Sequence, residues 1–347
     1  MHRTSRCAKG ALLAACVAVI VVLPNVALGQ GHLTLYCSPQ IEWCQLMVTE
    51  FTKATGIKVA MTRKSSGETF AQVKAESGNP KGDVWWGGTG DPHLQAAEEG
   101  LTGEYKSPRL GELQDWAVNQ AKASRYRTVG VYAGALGFGF NTELLAKKKL
   151  PEPKCWKDLI KPELKGEVQE ADPNSSGTSY TMLASLVQLF GEAEAFDYMK
   201  KVHKNVNQYT KSGSAPIKAA AQGETTVGIV FMHDAVTMAV RGSPIKVVAP
   251  CEGTGYEIGS MSIIKGARNL DSAKKFYDWA LGAAAQGLGA KAEAYQVPSN
   301  KSAVTPPQAP KFAEIKLIDY DFAKYGSSDE RKRLLDKWGK DVKSLPH

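Results

Sequence analysis

Apolar positions along this chain follow two spacings in turn, one typical of β-strands and one typical of helices. Residues 33–36, 57–61 and 83–86 are short β-type runs, and a segment with helical periodicity follows each of them. The first such segment places Trp43 and Phe51 on one helical face. Strands and helices in alternation predict a parallel sheet covered by helices.

The middle of the chain indicates a second set of strands and helices. Residues 128–141 form a β-type stretch that is too long for one ordinary strand, and Gly134 in its middle predicts a bend from one sheet into another. A second α/β set follows over residues 166–231, and the β-type stretch 257–264 then returns the chain to the first set. Two α/β lobes with two chain crossings predict a hinge and a cleft, where ligands bind beyond the carboxyl ends of the strands.

The beginning of the chain has the layout of a secretory signal peptide. A basic head reaches to Lys9, an apolar run covers residues 11–23, and the small residues of 27–29 match a cleavage site. We therefore predict that residues 1–29 are removed on export. An uncleaved membrane anchor is the alternative, although the apolar run is shorter than the roughly 20 residues that a spanning helix needs.

The charge balance points to small partners rather than to nucleic acid. The chain has 43 Lys and Arg against 35 Asp and Glu, a formal net charge of +8 at pH 7. These cations are spread along the chain without a dense cluster, so nucleic-acid binding is not indicated. A mildly basic surface favours anionic solutes only weakly.

Four cysteines remain after the predicted cleavage. An even number of cysteines in an exported chain indicates disulfides. Cys37 lies at the end of a predicted strand and Cys44 one turn into the next helix, which favours Cys37–Cys44 together with Cys155–Cys251 among the three pairings that four cysteines allow. Four buried free thiols are the alternative.

Three strand-to-helix turns are rich in small hydroxyl residues. They cover residues 37–39, 65–69 and 174–178, and each comes just before a predicted helix. The first turn of a helix has unpaired N–H groups and about half a positive charge, so these turns predict a phosphate or carboxylate site built without Lys or Arg. Ordinary N-capping by Ser and Thr is the alternative.

A second group of polar residues follows the strand predicted at 226–231. His233 and Asp234 come directly after it, and Glu257 lies at the second chain crossing. Their side chains can donate hydrogen bonds to sugar hydroxyls and accept them, although a helix cap at Asp234 beside a surface His233 explains the pair equally well. The usual hydrolase, nucleotide-binding and zinc-protease motifs are absent from the sequence, so we expect neither catalysis nor a cofactor.

Several motifs resemble those of the periplasmic substrate-binding proteins of ABC importers, in the ferric-iron-binding-like cluster with the type II lobe arrangement. They lie at residues 55–59, 82–88, 137–142, 155–159 and 223–231. The resemblance spans about residues 31–300. It implies an α/β, two-lobed type II periplasmic binding protein, a Venus flytrap with two hinge crossings.

On this basis we expect lobe 1 to comprise residues 30–134 and 258–310, and lobe 2 to comprise residues 135–257 and 311–347. The resemblance also implies a location in the periplasm, a monomer, and an ABC permease of the inner membrane as partner.

Iron binding does not follow from this resemblance. Ferric-binding members hold the metal through two adjacent tyrosines after the strand that ends here near Phe231, and this sequence has no tyrosine there. The hexose-phosphate-binding subgroup is more similar, in the turns at residues 65–67 and 175–178, in the His233-Asp234 pair and in Glu257. That similarity implies a small anionic solute of the hexose-phosphate type.

The expected ligand contacts are Ser38, Ser65, Ser66, Gly67, Gly88, Thr89, Ser175, Ser176, Gly177, Thr178, His233, Asp234 and Glu257. Other readings of the same residues are a ferric-iron, phosphonate or polyamine receptor, an exported hydrolase, or a receptor that serves a sensor. A polyamine site would need carboxylates and an aromatic box, which Asp234, Glu257 and Trp85 or Trp86 could begin.

Overall fold

The computed structural model describes residues 31–346, so the predicted signal peptide lies outside the described residues. None of the helices in this range is long and apolar enough to span a membrane. The strands are β1 His32–Cys37, β2 Lys58–Arg63, β3 Val84–Trp86, β4 Val129–Asn141, β5 Val168–Ala171, β6 Val206–Thr210, β7 Val227–Phe231, β8 Ile245–Val248, β9 Tyr256–Ile263 and β10 Val297–Pro298.

Helices cover both ends of most strands. They are α1 Ile41–Thr55, α2 Ser66–Ala75, α3 Gly90–Glu98, α4 Asp115–Ala123, α5 Thr142–Lys147, α6 Gly177–Phe190, α7 Glu192–His203, α8 Ala215–Gln222, α9 Met232–Val240, α10 Leu270–Ala280, α11 Ala283–Gln286, α12 Leu288–Lys291, α13 Phe322–Tyr325 and α14 Ser328–Trp338. A π-helix, Gly339–Lys343, continues directly from α14. Short 3-10 helices lie at Pro108–Glu112, Trp156–Ile160, Pro162–Leu164 and Phe312–Glu314.

The strands form one hydrogen-bonded sheet in the order β2-β1-β3-β9-β4-β7-β5-β6, with β8 and β10 paired to β4. Strand β1 is parallel to β2 and β3, and β5 is parallel to β6 and β7. Strand β9 runs antiparallel to β3 and β4, and β4 runs antiparallel to β7. The predicted parallel arrangement is present within each set of strands, and the whole sheet is mixed because β4 and β9 run antiparallel to each other across its middle.

Strand β4 belongs to both halves of the sheet. Its first half, from Val129 to Ala135, pairs with β9, and its second half, from Leu136 to Phe140, pairs with β7. The change of partner comes directly after Gly134, where the sequence predicts a bend. All 13 residues of this strand are buried.

Two large hydrophobic cores lie on either side of this change. The first core contains Trp43, Phe51 and Phe276 and packs α1 and α10 against the first strands. The second core contains Trp156 and Trp338, the latter from α14 at the far end of the chain. Burial of large apolar side chains of this kind stabilises a fold by about 1.5–3 kcal/mol each, so both cores are substantial.

Helix α2 begins earlier than the sequence pattern predicts, at Ser66 rather than Thr69. Ser65 occupies the N-cap position, and its backbone N–H donates to Glu68 Oε2 at 3.2 Å, which is the reciprocal half of a capping box. The serine turn is therefore part of the helix start itself, and its hydroxyls lie at the N-terminus of α2.

Two disulfides are present, Cys37–Cys44 and Cys155–Cys251, the pairs favoured by the sequence. The first joins the end of β1 to α1 across a separation of 7 residues and so constrains the short loop between them. The second closes a much longer loop, with a separation of 96 residues.

Candidate ligand-binding site

Six helices begin at the same cavity, which contains about 410 Å³ of space including the part open to solvent. They are α1, α2, α3, α6, α8 and α9, and the N-cap residue of each lines the cavity: Gln40, Ser65, Thr89, Ser176, Ser214 and Phe231. The first turn of every helix has unpaired N–H groups and a partial positive charge. Their convergence makes the cavity suited to an anion.

Most of the predicted ligand contacts line this cavity. They are Ser38, Ser65, Ser66, Gly88, Thr89, Ser176, Gly177, Thr178, His233, Asp234 and Glu257. Gly67 and Ser175 are not among the lining residues, and their role as ligand contacts stays a prediction. The Gly67 N–H donates to the Ser175 carbonyl at 3.0 Å, so these two residues hold the 65–69 and 174–178 turns against each other.

Hydroxyl groups dominate one side of the cavity. Ser176 Oγ and Thr89 Oγ1 are buried without a hydrogen-bond partner in the described part of the chain. Ser66 Oγ accepts from the Thr89 N–H at 3.1 Å. A side chain at Gly177 would place Cβ only 1.9 Å from Thr89 Oγ1, so only glycine allows the two turns to approach this closely. Buried polar atoms without a partner are uncommon, and here they face a cavity that can accept a polar ligand.

Arg63 corrects the prediction that the anion site has no basic side chain. It ends β2 and lines the cavity beside the serine turns. Its Nε donates to the Pro39 carbonyl at 2.9 Å and its Nη2 to the Ser38 carbonyl at 3.3 Å, which fixes the guanidinium in place. Burial lowers the pKa of Arg63, but a guanidinium stays protonated at neutral pH. The cavity therefore has one fixed cation next to its hydroxyl groups.

The other side of the cavity is formed by His233, Asp234 and Glu257. His233 and Asp234 lie in the first turn of α9 and are buried, so the alternative of a surface histidine beside a capping aspartate is wrong. Asp234 accepts a short hydrogen bond from Gln40, and Gln296 Nε2 contacts His233 Nε2 at 3.0 Å.

Burial favours the uncharged forms of Glu257 and His233 on this side of the cavity, beside the carboxylate of Asp234. Burial raises the pKa of Glu257 well above its usual range, and the nearby carboxylate of Asp234 raises it further. Burial lowers the pKa of His233, although Asp234 opposes the shift. A protonated carboxyl and a neutral imidazole each donate and accept hydrogen bonds, which is the chemistry that hydroxyl groups require.

The sequence analysis missed several lining residues. Ser212, Gly213 and Ser214 form another Ser-Gly-Ser turn, directly before α8, and Gly213 and Ser214 line the cavity. Their pattern is the same strand-to-helix signal as in the three predicted turns, so it was available from the sequence. Tyr132 and Gln296 also line the cavity, but nothing in the local sequence distinguishes them.

The aromatic residues that the sequence suggested for a polyamine site lie outside the cavity lining. Trp85 and Trp86 are buried elsewhere and do not line it, so they form no aromatic box. Tyr132 lines the cavity and its hydroxyl accepts a hydrogen bond from Gly88 N at 2.7 Å. Among residues 31–346, the group with metal-ligand spacing is Cys155, Cys251 and Glu252, whose two thiols are joined as a disulfide.

A cavity enclosed by helix starts from two α/β halves of a mixed sheet defines a solute-binding protein of the periplasmic type. The family of bacterial extracellular solute-binding proteins matches residues 88–325, and this chain belongs to that family. A protein of Haemophilus influenzae is 48% identical over 344 residues, which cover 99% of this chain and 98% of the relative.

Solved structures agree with this assignment. The periplasmic binding protein AfuA from Actinobacillus pleuropneumoniae, with exogenous fructose-6-phosphate bound, has a TM-score of 0.89 and 48% identity, covering 91% of this chain and 100% of that one. The periplasmic binding protein P5PA has a TM-score of 0.87 and 40% identity, covering 90% of this chain and 99% of that one. The predicted type II fold is confirmed, as is the role of a substrate-binding protein for an ABC transporter.

Asp91 is a buried carboxyl group behind the cavity, in the first turn of α3. Tyr320 Oη donates to it at 3.3 Å. Burial raises its pKa to about 7, against the opposing charge of Arg331. The unfolded carboxyl ionises near pH 4, so between about pH 4 and 7 the folded chain holds a proton that the unfolded chain releases. This carboxyl therefore makes the protein less stable as the pH rises through that range.

We predict that Asp91→Asn removes this dependence. The difference in melting temperature, variant minus wild type, should rise by several degrees between pH 5 and pH 8, because only the wild type must ionise the buried carboxyl of Asp91. Thermal unfolding at both pH values checks this, with Asp329→Asn on the exposed first turn of α14 as the control. An equal offset at pH 5 and pH 8 would contradict the assignment of Asp91.

Proposed function

We propose that this protein is an extracytoplasmic receptor of an ABC importer that captures a phosphorylated sugar or a similar small organophosphate and catalyses no reaction. The observation that carries the proposal is the convergence of six helix N-termini on a cavity whose other side is lined by the polar groups of His233, Asp234 and Glu257. A small ligand that carries both an anionic group and several hydroxyl groups matches both sides of the cavity. The fructose-6-phosphate bound by AfuA, at 48% identity, supports the same class of ligand.

In this proposal the phosphate lies among the starts of α2, α6 and α8. Ser65, Ser66, Ser176 and Thr178 supply hydroxyl and backbone donors, and Arg63 supplies one fixed positive charge. Charge-assisted hydrogen bonds of this kind are about twice as strong as neutral ones. Because helices hold these donors in place before binding, little conformational entropy is lost when the anion arrives.

The sugar lies against His233, Asp234 and Glu257. Gln40 contacts Asp234, and Gln296 contacts His233. Within the described part of the chain, the Oε1 atoms of both glutamines are buried without a hydrogen-bond partner. A polyol can satisfy such atoms, whereas inorganic phosphate alone cannot reach both sides. A site built to bond hydroxyls discriminates strongly against ligands that lack them.

We further propose that the two cores belong to two lobes with the boundaries expected from the sequence. Every buried residue of the first core falls within residues 30–134 or 258–310, and every one of the second within 135–257 or 311–347. The bond from Gly67 N to Ser175 O then crosses the cleft, as does that from Thr237 Oγ1 to Glu293 O at 2.7 Å. The structure thus corresponds to the closed form, which a ligand stabilises by its higher affinity for it.

The remaining features support a periplasmic monomer that is not an enzyme and does not bind nucleic acid. The signal pattern and the two disulfides suit an oxidising compartment outside the cytoplasm. His233 Nε2 is engaged by Gln296. No serine of the described cavity contacts this imidazole, so the arrangement lacks an activated nucleophile.

The ligand class is tested by thermal unfolding of protein freed of ligand by denaturation and refolding. Glucose-6-phosphate at about 100 times its Kd should stabilise the protein by about 2.7 kcal/mol, several degrees in melting temperature, while glucose and inorganic phosphate give much smaller shifts. A shift with ferric citrate and none with the sugar phosphate would refute the proposal.

Closure is tested at Gly177, which faces Thr89 across the proposed cleft. We expect Gly177→Ala to weaken glucose-6-phosphate binding at least about tenfold, because the added methyl group would overlap Thr89 in the closed form. The melting temperature without ligand should hardly change, since the open form has no such contact and alanine suits the first turn of a helix. Calorimetric titration measures the affinity.

Gly78→Ala is the matched control, because a Cβ at Gly78 meets nothing within 4 Å. Wild-type affinity in Gly177→Ala would show that Thr89 and the 174–178 turn need not approach each other when the ligand binds.

A further inference from the structure

Asp172 determines the conformation of the turn that leads into α6. Its Oδ1 accepts from both Asn174 N and Asn174 Nδ2 at 2.9 Å. Its carbonyl oxygen accepts from Ser175 N at 3.1 Å and from Ser176 N at 2.9 Å. One residue therefore shapes the whole turn, including Ser176, whose hydroxyl is buried and unpartnered at the cavity within the described chain.

The same carboxylate is electrostatically unfavourable for the proposed ligand. Asp172 lies only four residues before Ser176, the N-cap of α6, and α6 has no acidic residue in its first turn. The Asp172 carbonyl accepts from Ser176 N at 2.9 Å, so its carboxylate belongs to the turn that begins α6, where a negative charge reduces the attraction of the helix start for an anion. The turn needs the hydrogen bonds of Asp172, but anion binding is hindered by its charge.

Lys343, near the C-terminal end of the chain, offsets the charge of this carboxylate by pairing with it. Its Nζ donates a short hydrogen bond to Asp172 Oδ2. Lys343 is the last residue of the π-helix, its ammonium lies 5.8 Å from the Trp338 ring centre, and Val342 beside it is buried in the second core. Burial by itself raises the pKa of Asp172, but the bonds from Lys343 and Asn174 hold it below its usual value, so the carboxylate stays ionised and paired.

We propose that Lys343 is a positioning residue of the anion site, through which the C-terminal segment neutralises the carboxylate that shapes the 174–178 turn. The inference rests on the proposed function, because it concerns a bound anion. In this proposal the π-helix Gly339–Lys343 contributes to ligand affinity in addition to its packing in the second core. Lys343 does not touch the ligand and acts only through Asp172.

The test compares Lys343→Met with the double variant Asp172→Asn/Lys343→Met. The single variant keeps the apolar stem against Trp338 but leaves Asp172 unpaired, and we expect glucose-6-phosphate to bind about tenfold more weakly at low salt, with a smaller deficit at high salt. Asparagine keeps the Oδ1 acceptor for Asn174 without the charge, so the double variant should recover most of the wild-type affinity. A purely structural role would show no such recovery.

Lys332→Met is the control, because it removes the same charge from the neighbouring helix α14, where Lys332 pairs with Asp336 at 2.7 Å on the exposed surface. Wild-type affinity in Lys343→Met, or no recovery in the double variant, would overturn the inference while the wild type still binds the sugar phosphate. Failure of the wild type itself to bind would overturn the proposed function and the inference with it.

Discussion

The long strand β4 is the element on which the rest of the structure depends. Its 13 buried residues pair with β9 over the first half and with β7 and β8 over the second, so the two sets of strands share one backbone. Gly134 in its middle leaves room for the binding residues, since a Cβ there would lie 2.6 Å from His233 Nδ1 and 3.2 Å from Glu257 Oε1. The same strand therefore joins the two halves, lies against His233 and Glu257, and contributes Tyr132 to the cavity lining.

Around this strand, the positive potential comes mainly from the backbone at helix N-termini rather than from charged side chains. Helix N-termini from both halves line the cavity, and Arg63 adds a single guanidinium held by two carbonyls. Fixed dipoles in a partly dehydrated cavity attract an anion strongly and need little reorganisation. On the other side, burial favours the uncharged forms of Glu257 and His233, which suits hydroxyl groups. The two sides of the site therefore differ because helix N-termini line one of them and buried polar groups line the other.

Sequence periodicity predicts the elements well where one face is strongly apolar, as in α6, whose predicted span of 177–190 matches the structure. The hydroxyl turns are equally visible, because Ser and Gly must precede a helix that begins at a ligand. Sequence spacing cannot reveal Tyr132 or Gln296, which enter the cavity only through the pairing of β4 and the path after α12. Arg63 was overlooked because a lone cation at a strand end is commonplace, and only the packing of β2 beside the loop at Ser38 places it at the site.

The central claim is that one ligand must join an anionic group to a polyol in order to bridge the two sides of the cavity. Isothermal titration calorimetry of refolded, ligand-free protein tests it most directly, with glucose-6-phosphate compared against an equimolar mixture of glucose and inorganic phosphate. The account predicts that the joined ligand binds at least about 100-fold more tightly than either fragment, because linkage makes the second contact intramolecular. Inorganic phosphate binding as tightly as glucose-6-phosphate would contradict it.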